Sequence, residues 1–312
     1  MRLIDATFDN YIQSINDVKK QSRKIISNCF LSVDKIKDLL EAKGCMLYID
    51  DAYVFLAVPE HEMFYRLYYH TTDLSMLSKS LSVIALKLPM VCTISGAEKD
   101  VDLYKPCFEQ SGFTLRRRMR RFAYLRSEKN DFSGYEGNSH AVFASPNDAE
   151  EIYNILTSHF DVYTQAVPEM SKILENINKN QVSVIKKMVM PLSEESVAGL
   201  CPAERWEFVG RTPIEKKDSK IAALLYYELH GSTLHSIFEV VLEEYRGEML
   251  NVELMAHRDE HLKNQKIKLM YGWRDMDNER LIKLGEFYAK RWGTRPGNTV
   301  IYTFFCNRTH HI

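Results

Sequence analysis

The stretch Glu244 to Leu254, EYRGEMLNVEL, follows a β-type run, LHSIFEVVL, and turns through Arg246 and Gly247 into a helix-like segment. A strand-to-helix turn leaves the first N–H groups of the helix without intrahelical acceptors and pointing one way, an arrangement that suits an anion such as phosphate. Arg246 can add charge-assisted hydrogen bonds to the same anion. The stretch also reads as a plain surface turn ending in glycine, because short glycine motifs arise by chance. Two other patterns could carry chemistry. AHRDEH sets His257 and His261 one helical turn apart, a chelating spacing, but no third ligand follows, so a solvated helix face is the better reading and no metal is expected. LRRRMRRFAYLR interleaves six arginines with aromatic residues, as a strand that neutralises phosphates and stacks on bases would. The competing readings are an edge strand protected by charge, or arginines that meet an acidic acceptor or an acidic domain face.

Composition narrows these choices. The chain has 312 residues, more than one core usually supports, so two domains are expected. Lys plus Arg number 41 against 42 Asp plus Glu, a formal charge of -1, so no global field favours nucleic acid or an anionic membrane. The six cysteines are scattered without a close pair, which fits neither a zinc framework nor a secreted disulfide scaffold. No apolar window reaches signal-peptide or membrane-helix length. A cytoplasmic protein is expected. No Ser nucleophile elbow, Cys-X-X-Cys or phosphate loop ending in Gly-Lys-Ser/Thr is present.

The polar segment Ser127 to His140 separates two regions that each mix helices and strands, which places domains at 1–130 and 138–312. In the first, a helix over Val33 to Lys43 precedes strands in CMLYIDDAYVFLAV and MFYRLYYHT, then PMVCTISG, an amphipathic KDVDLYKPCFEQSG and a last strand FTLRRRMRRFAYL. In the second, HAVFAS leads through Ser145 as helix cap and Pro146 as first helical residue into PNDAEEIYNILTSHF. A helix PEMSKILENINK, a strand QVSVIKKM, an irregular Pro191 to Ser219 stretch and the hairpin KIAALLYYELHG with TLHSIFEVVLEEY follow. Then come a helix near Asn251 to Leu262, a strand KIKLMYGW, a helix Glu279 to Trp292 and a strand NTVIYTFF. Both halves read as β-α-β-β-α-β-α-β, an internal duplication of element order.

In the second half this order and its joints resemble the GNAT superfamily of acyl-CoA-dependent N-acyltransferases. The resemblance implies an α/β fold of two tandem GNAT-like domains, each a mostly antiparallel mixed sheet flanked by helices. The family's phosphate motif, Gln or Arg, two residues, Gly, one residue, Gly or Ala, aligns on Arg246, Met249 and Asn251, with Gly247 in the usual extra-glycine place. Met249 and Asn251 carry side chains where the family keeps none, which would crowd a diphosphate. KLMYGWRDMDNERLIKLGEFYAKRWG resembles the second family block, where an Asn meets the CoA arm and a Tyr protonates the departing thiolate; the matching residues are Asn278 and Tyr288. The cofactor-contacting set so implied is Val241, Leu242, Arg246, Gly247, Glu248, Met249, Leu250, Asn251, Asn278 and Phe287, with acetyl-CoA as cosubstrate. Tyr288 also reads as a packing residue, since Leu281, Leu284 and Tyr288 share a helix face.

An amine nucleophile must lose a proton, and strand alternation places His235, Ile237 and Glu239 on one face. His235 is the first candidate base and Glu239 the second, although His235 also reads as a polar residue beside the hairpin turn. Tyr226, Tyr227 and Glu228 on the neighbouring strand could face the same cleft. In the first half no Arg or Gln with following glycines stands at the corresponding joint, and Phe108 lies where the Tyr would, so that copy is expected to keep the fold without the chemistry. The function expected is acyl transfer, commonly acetyl, from CoA to an amine-bearing small molecule or peptide by direct attack, with no nucleic-acid or membrane partner. Two alternatives stay open: a non-catalytic binding or regulatory module, or an aminoacyl-tRNA-dependent transferase using Arg116, Arg118 and Arg120.

Overall fold

The computed structural model describes residues 2–22, 24–41, 44–84, 86–125, 140–188, 219–292 and 295–307, with the side chains of Tyr124, Met188, Leu284 and 287–292 outside the description. The predicted linker, nearly all of the Pro191 to Ser219 stretch and the terminal His310 and His311 therefore lie outside the described residues. The elements are, in chain order, β1 (Arg2–Ile4), α1 (Phe8–Gln21), β2 (Ile26–Ser27), α2 (Val33–Glu41), β3 (Met46–Asp50), β4 (Tyr53–Glu60), β5 (Phe64–Thr71), α3 (Leu74–Val83), β6 (Met90–Ala97), α4 (Glu98–Val101), α5 (Lys105–Gln110) and β7 (Thr114–Leu125). They continue with β8 (Ala141–Phe143), α6 (Ala149–His159), α7 (Met170–Asn178), β9 (Val182–Met188), β10 (Ser219–His230), β11 (Thr233–Val241), α8 (Leu250–His261), β12 (Leu269–Asp275), α9 (Glu279–Trp292) and β13 (Arg295–Cys306). No helix among the described residues is long and apolar enough to cross a membrane.

Two compact units result: Met1–Tyr124 with Phe160–Val167 and Gly272–Ile312, and Leu125–His159 with Pro168–Tyr271. In the first, strand order is β1-β3-β4-β5-β6-β13-β7. β5 and β6 run parallel and the other neighbours antiparallel, a mixed and mostly antiparallel sheet. β4 reads as a continuous apolar run because both its faces are covered. Phe55 and Ala57 join the core with Leu67, Leu77, Leu81, Phe108 and Phe304, while Val54, Leu56 and Val58 join Tyr11, Ile15, Val18 and Ile36. Tyr11, Ile15 and Val18 recur at helical spacing on α1, which Thr7 starts by accepting from Asn10 N–H at 3.2 Å.

β13, from the far end of the chain, sits between β6 and β7, with Thr303 opposite both Thr93 and Arg117. The expected 138–312 domain therefore does not coincide with a unit, because its last strand and α9 pack in the first. Sequence order points to the wrong partner here: consecutive elements are neighbours only about two-thirds of the time. Phe160–Val167 is likewise drawn into the first unit.

In the second unit the order is β11-β10-β9-β8, with Leu269–Tyr271 of β12 next to β11. Ile221 to Tyr227 are all buried. The entry to α6 differs from expectation in one detail: Pro146–Asp148 form a 3₁₀ turn, and Ser145 N–H donates to Asp148 Oδ2 at 2.7 Å, before the α-helix begins.

Candidate active site

The β11–α8 joint has the form its residues imply. A 3₁₀ turn, Glu243–Tyr245, carries the chain to Arg246; Gly247 then adopts φ +102, where glycine alone is unstrained. Met249 takes the N-cap position at φ 60 and contributes no side-chain cap. The Arg246 and Glu248 amides bond back to Glu243 and Tyr245, but those of Gly247, Met249 and Leu250 have no acceptor among the described residues. The Met249 side chain is 57% exposed. Leu250 is buried and anchors the helix. Among the described residues Arg246 pairs with Glu243, at 3.4 Å across an exposed turn, a pairing worth little. Leu242 N–H is committed to Ala222 at 3.0 Å, so alternation turns the Val241 N–H away from β10. Glu248 pairs with Lys187 at 3.1 Å.

The left-handed conformation of Met249 costs roughly 1 kcal/mol for a residue with a Cβ. Met249→Gly is expected to raise unfolding free energy by up to about 1 kcal/mol in urea titration. A destabilised variant would show that the Met side chain contributes packing instead.

The corresponding joint of the first unit is closed. At the start of α3, Asp73 Oδ1 accepts from Ser75 N–H at 2.9 Å and Oδ2 from the Ser75 hydroxyl at 2.6 Å. A carboxylate of the chain thus occupies the anion position in one copy, whereas α8 has no such group. Phe108 in this unit is fully buried and stacks on Phe304 with ring centroids 4.4 Å apart.

Strand β11 corrects one expectation. Tyr226 lies opposite Phe238 while Tyr227 lies opposite Ser236, so Ile237 is an extra residue, a β-bulge. A bulge reverses alternation beyond it. His235, opposite Glu228, shares the face of Phe238 and Tyr226; Glu239, opposite Leu225, lies on the other face. His235 and Glu239 cannot act as interchangeable bases on one face. His235 stacks on Tyr271 at 4.4 Å and 11°, and its Nε2 is buried without a partner among the described residues. Burial holds its pKa down to about 4, with Glu228 opposing and His230 adding to the shift. The ring is therefore neutral and a weak base.

Asn278 caps α9: its Oδ1 accepts from Leu281 N–H at 3.2 Å, which makes it a helix-start residue whatever else it meets. It belongs to the first unit, whereas Arg246 to Asn251 belong to the second. Tyr288 and Phe287 lie on α9, and their side chains are outside the described residues. Gly285 lets α9 approach β7 closely, since a Cβ there would lie 2.9 Å from the Phe122 ring.

Arg116, Arg117, Arg118 and Arg120 of β7 are engaged within their own unit. Arg116 bonds Asp161 at 2.7 Å, Arg117 bonds Asp275 at 3.0 Å, Arg118 pairs with Asp277, and Arg120 bonds Glu98 at 2.6 Å. Arg116 also lies 4.9 Å from the Tyr163 and Phe305 ring centroids, and Arg117 reaches Gln165. These contacts fasten Phe160–Val167 in place. β7 is no bare edge, because β13 flanks one side and Met276 N–H donates to Arg118 C=O at 2.9 Å. These carboxylates belong to the same unit as β7, so the four arginines meet acidic residues of their own unit and not the face of a partner domain. On α8, His257 and His261 both contact the Phe143 ring and His257 Nδ1 bonds the Ser183 hydroxyl at 3.1 Å. Among the described residues no cluster could hold a metal ion.

Sequence reading overlooked Asn176. It lies on α7 between Ile173 and Ile177, is 0% exposed, and donates to Tyr226 Oη at 2.8 Å and Glu228 Oε1 at 3.1 Å. A short amide on the apolar face of a helix was the available signal.

No protein-family model and no curated protein matches the chain. Solved structures do. A GCN5-related N-acetyltransferase from Sphaerobacter thermophilus is 9% identical, with TM-score 0.55, over 99% of this chain and 97% of its own. A tandem GNAT protein from the clavulanic acid biosynthesis pathway, solved without acetyl-CoA, is 8% identical, with TM-score 0.53, over 100% of both chains. A Drosophila protein is 10% identical, with TM-score 0.50, over 99% of each. The chain has the tandem GNAT fold.

Proposed function

We propose that this protein transfers an acyl group, acetyl in the first instance, from acyl-CoA to an amine. The observation that carries the reading is the uncapped start of α8, where main-chain amides and Arg246 stand ready for an anion that Asp73 replaces in the other copy. The donor set fits a pyrophosphate: neutral amides for its oxygens and one guanidinium for its charge. The amine nitrogen attacks the thioester carbon, the C–N bond forms and the C–S bond breaks. One N–H proton ends on the sulfur and any ammonium proton goes to solvent. Tyr288 is assigned the proton donation to sulfur and Asn278 a contact with the CoA arm beyond its cap. His235, desolvated and neutral, orients more than it deprotonates; Glu239 faces away from it. An intracellular, reducing setting goes with this reading, and Cys29, Cys45, Cys92, Cys107 and Cys306 form no disulfide.

Calorimetry with acetyl-CoA tests the assignment. Arg246→Ala is expected to weaken binding about tenfold, the worth of one charge-assisted hydrogen bond. Tyr288→Phe is expected to lower turnover about a hundredfold with affinity unchanged. Absence of acetyl-CoA binding by the unaltered chain would leave the second reading, a non-catalytic module of the same fold, which the strained Met249 favours.

A further inference from the structure

In the first unit a side-chain carboxamide is set between two strands of the sheet. β5 and β6 pair in parallel from Tyr65 opposite Met90 to Leu67 opposite Cys92, although β5 continues to Thr71 and β6 to Ala97. Further along, β5 is met instead by β2, with Ser27 opposite His70 and Ile26 opposite Thr71. The residue that follows β2, Asn28, is thereby carried into the gap where β5 and β6 part. It is buried there, 8% exposed.

Its side chain is spent on the main chain of both strands. Nδ2 donates to Leu67 C=O at 2.9 Å and to Thr93 C=O at 3.0 Å, one hydrogen for each, and Oδ1 accepts from Tyr69 N–H at 2.7 Å. Cys92 Sγ, 3.4 Å from Nδ2, adds a weak contact. These partners fix which way the amide points, because a carbonyl can only accept and a backbone N–H can only donate. The walls of the gap thus offer two acceptors and one donor. The group that answers all three at once is a primary carboxamide, with two N–H hydrogens and one C=O. A carboxylate or a tertiary amide has no hydrogen for either carbonyl, and a hydroxyl has only one.

We infer that the β5–β6 gap of the first unit is a receptor for a primary carboxamide, which the chain fills with its own Asn28 as an internal ligand that keeps the gap shut. Asp73 closes the start of α3 in the same copy with a carboxylate, so two openings of this copy are met by side chains of the chain itself. Asn28 has no part in the acyl-transfer site proposed above, and the inference stands whether or not the second copy transfers an acyl group.

Asn28→Gly removes a group that acetamide reproduces, methyl for Cβ and carboxamide for carboxamide. NMR on the full chain, read at the Tyr69 amide, should show saturable binding of acetamide to this variant and none to the unaltered chain. Acetate and N,N-dimethylacetamide should bind the variant at least about tenfold more weakly, the worth of a lost hydrogen bond. Where Asn28→Gly fails to fold, Asn28→Ala with formamide makes the same comparison with one more carbon left in place. Equal response of variant and unaltered chain, no saturable binding by a folded variant, or equal binding of acetate or the tertiary amide would overturn the assignment. In the unaltered chain the Tyr69 N–H should exchange with solvent at least about a hundredfold more slowly than an exposed amide. Fast exchange there would overturn it whatever the variants do. Acetyl-CoA calorimetry on Asn28→Gly should match the unaltered chain, so this inference and the transferase reading fail separately.

Discussion

Lowering the pH from 7.5 to 4.5 is expected to remove about 2 to 3 kcal/mol of stability from each unit, through His70 in the first and chiefly His235 in the second, where burial lowers His257 in the same direction. His70 accepts or shares a proton with Tyr11 Oη at 2.7 Å, and burial, assisted by Lys19, lowers its pKa to about 4. His235 is lowered to about 4 by burial in the same way. An unfolded histidine titrates near 6.5, so the unfolded chain takes up protons that the folded chain refuses. The stabilisation is complete above about 6.5 and is lost as pH falls toward 4, the sign expected for a base whose folded pKa is depressed. Carboxylates whose pKa the fold lowers, such as Asp148 and Asp277, act in a more acid range and leave this window to the histidines. Urea unfolding at pH 7.5, 5.5 and 4.5 measures the loss. His70→Gln should flatten the slope in the first unit alone, and a slope the substitution leaves untouched would sink the assignment.

Asp259→Ala is expected to destabilise the second unit by about 3 to 5 kcal/mol. Arg258 and Asp259 are adjacent on α8, 3% and 5% exposed, and joined at 2.8 Å. Removal of the carboxylate takes from a buried guanidinium its charge partner at 2.8 Å. The pair itself need not be stabilising relative to apolar residues, so Arg258→Met with Asp259→Leu should recover most of the loss. Urea titration of both variants decides; a single-variant loss below about 1 kcal/mol would show that Arg258 is satisfied by other groups.

The contrast between the two copies has one chemical origin. Asp73 and Ser75 finish the first turn of α3 with a carboxylate, whereas Met249 leaves the first turn of α8 unfinished. In the first copy the turn is closed by its own carboxylate; in the second, the Gly247, Met249 and Leu250 amides find no acceptor among the described residues.

Local chemistry made much of this legible in sequence. Helix and strand periods, the glycine at the Arg246–Gly247 turn and the repeated element order all depend on near neighbours, and they led to the tandem fold and to the β11–α8 joint. Tertiary structure alone decided the rest. One inserted residue, Ile237, moved Glu239 off the face of His235, because strand facing depends on register with a partner and not on counting. β13 entered the first unit's sheet, since a strand's amides bond to whichever edge the whole fold presents. The β7 arginines found Asp161, Asp275, Asp277 and Glu98, carboxylates remote in sequence, and desolvation lowered the pKa of His235 to about 4. Charge and polarity are written residue by residue, but what they do depends on distance and burial, which exist only once the chain has folded.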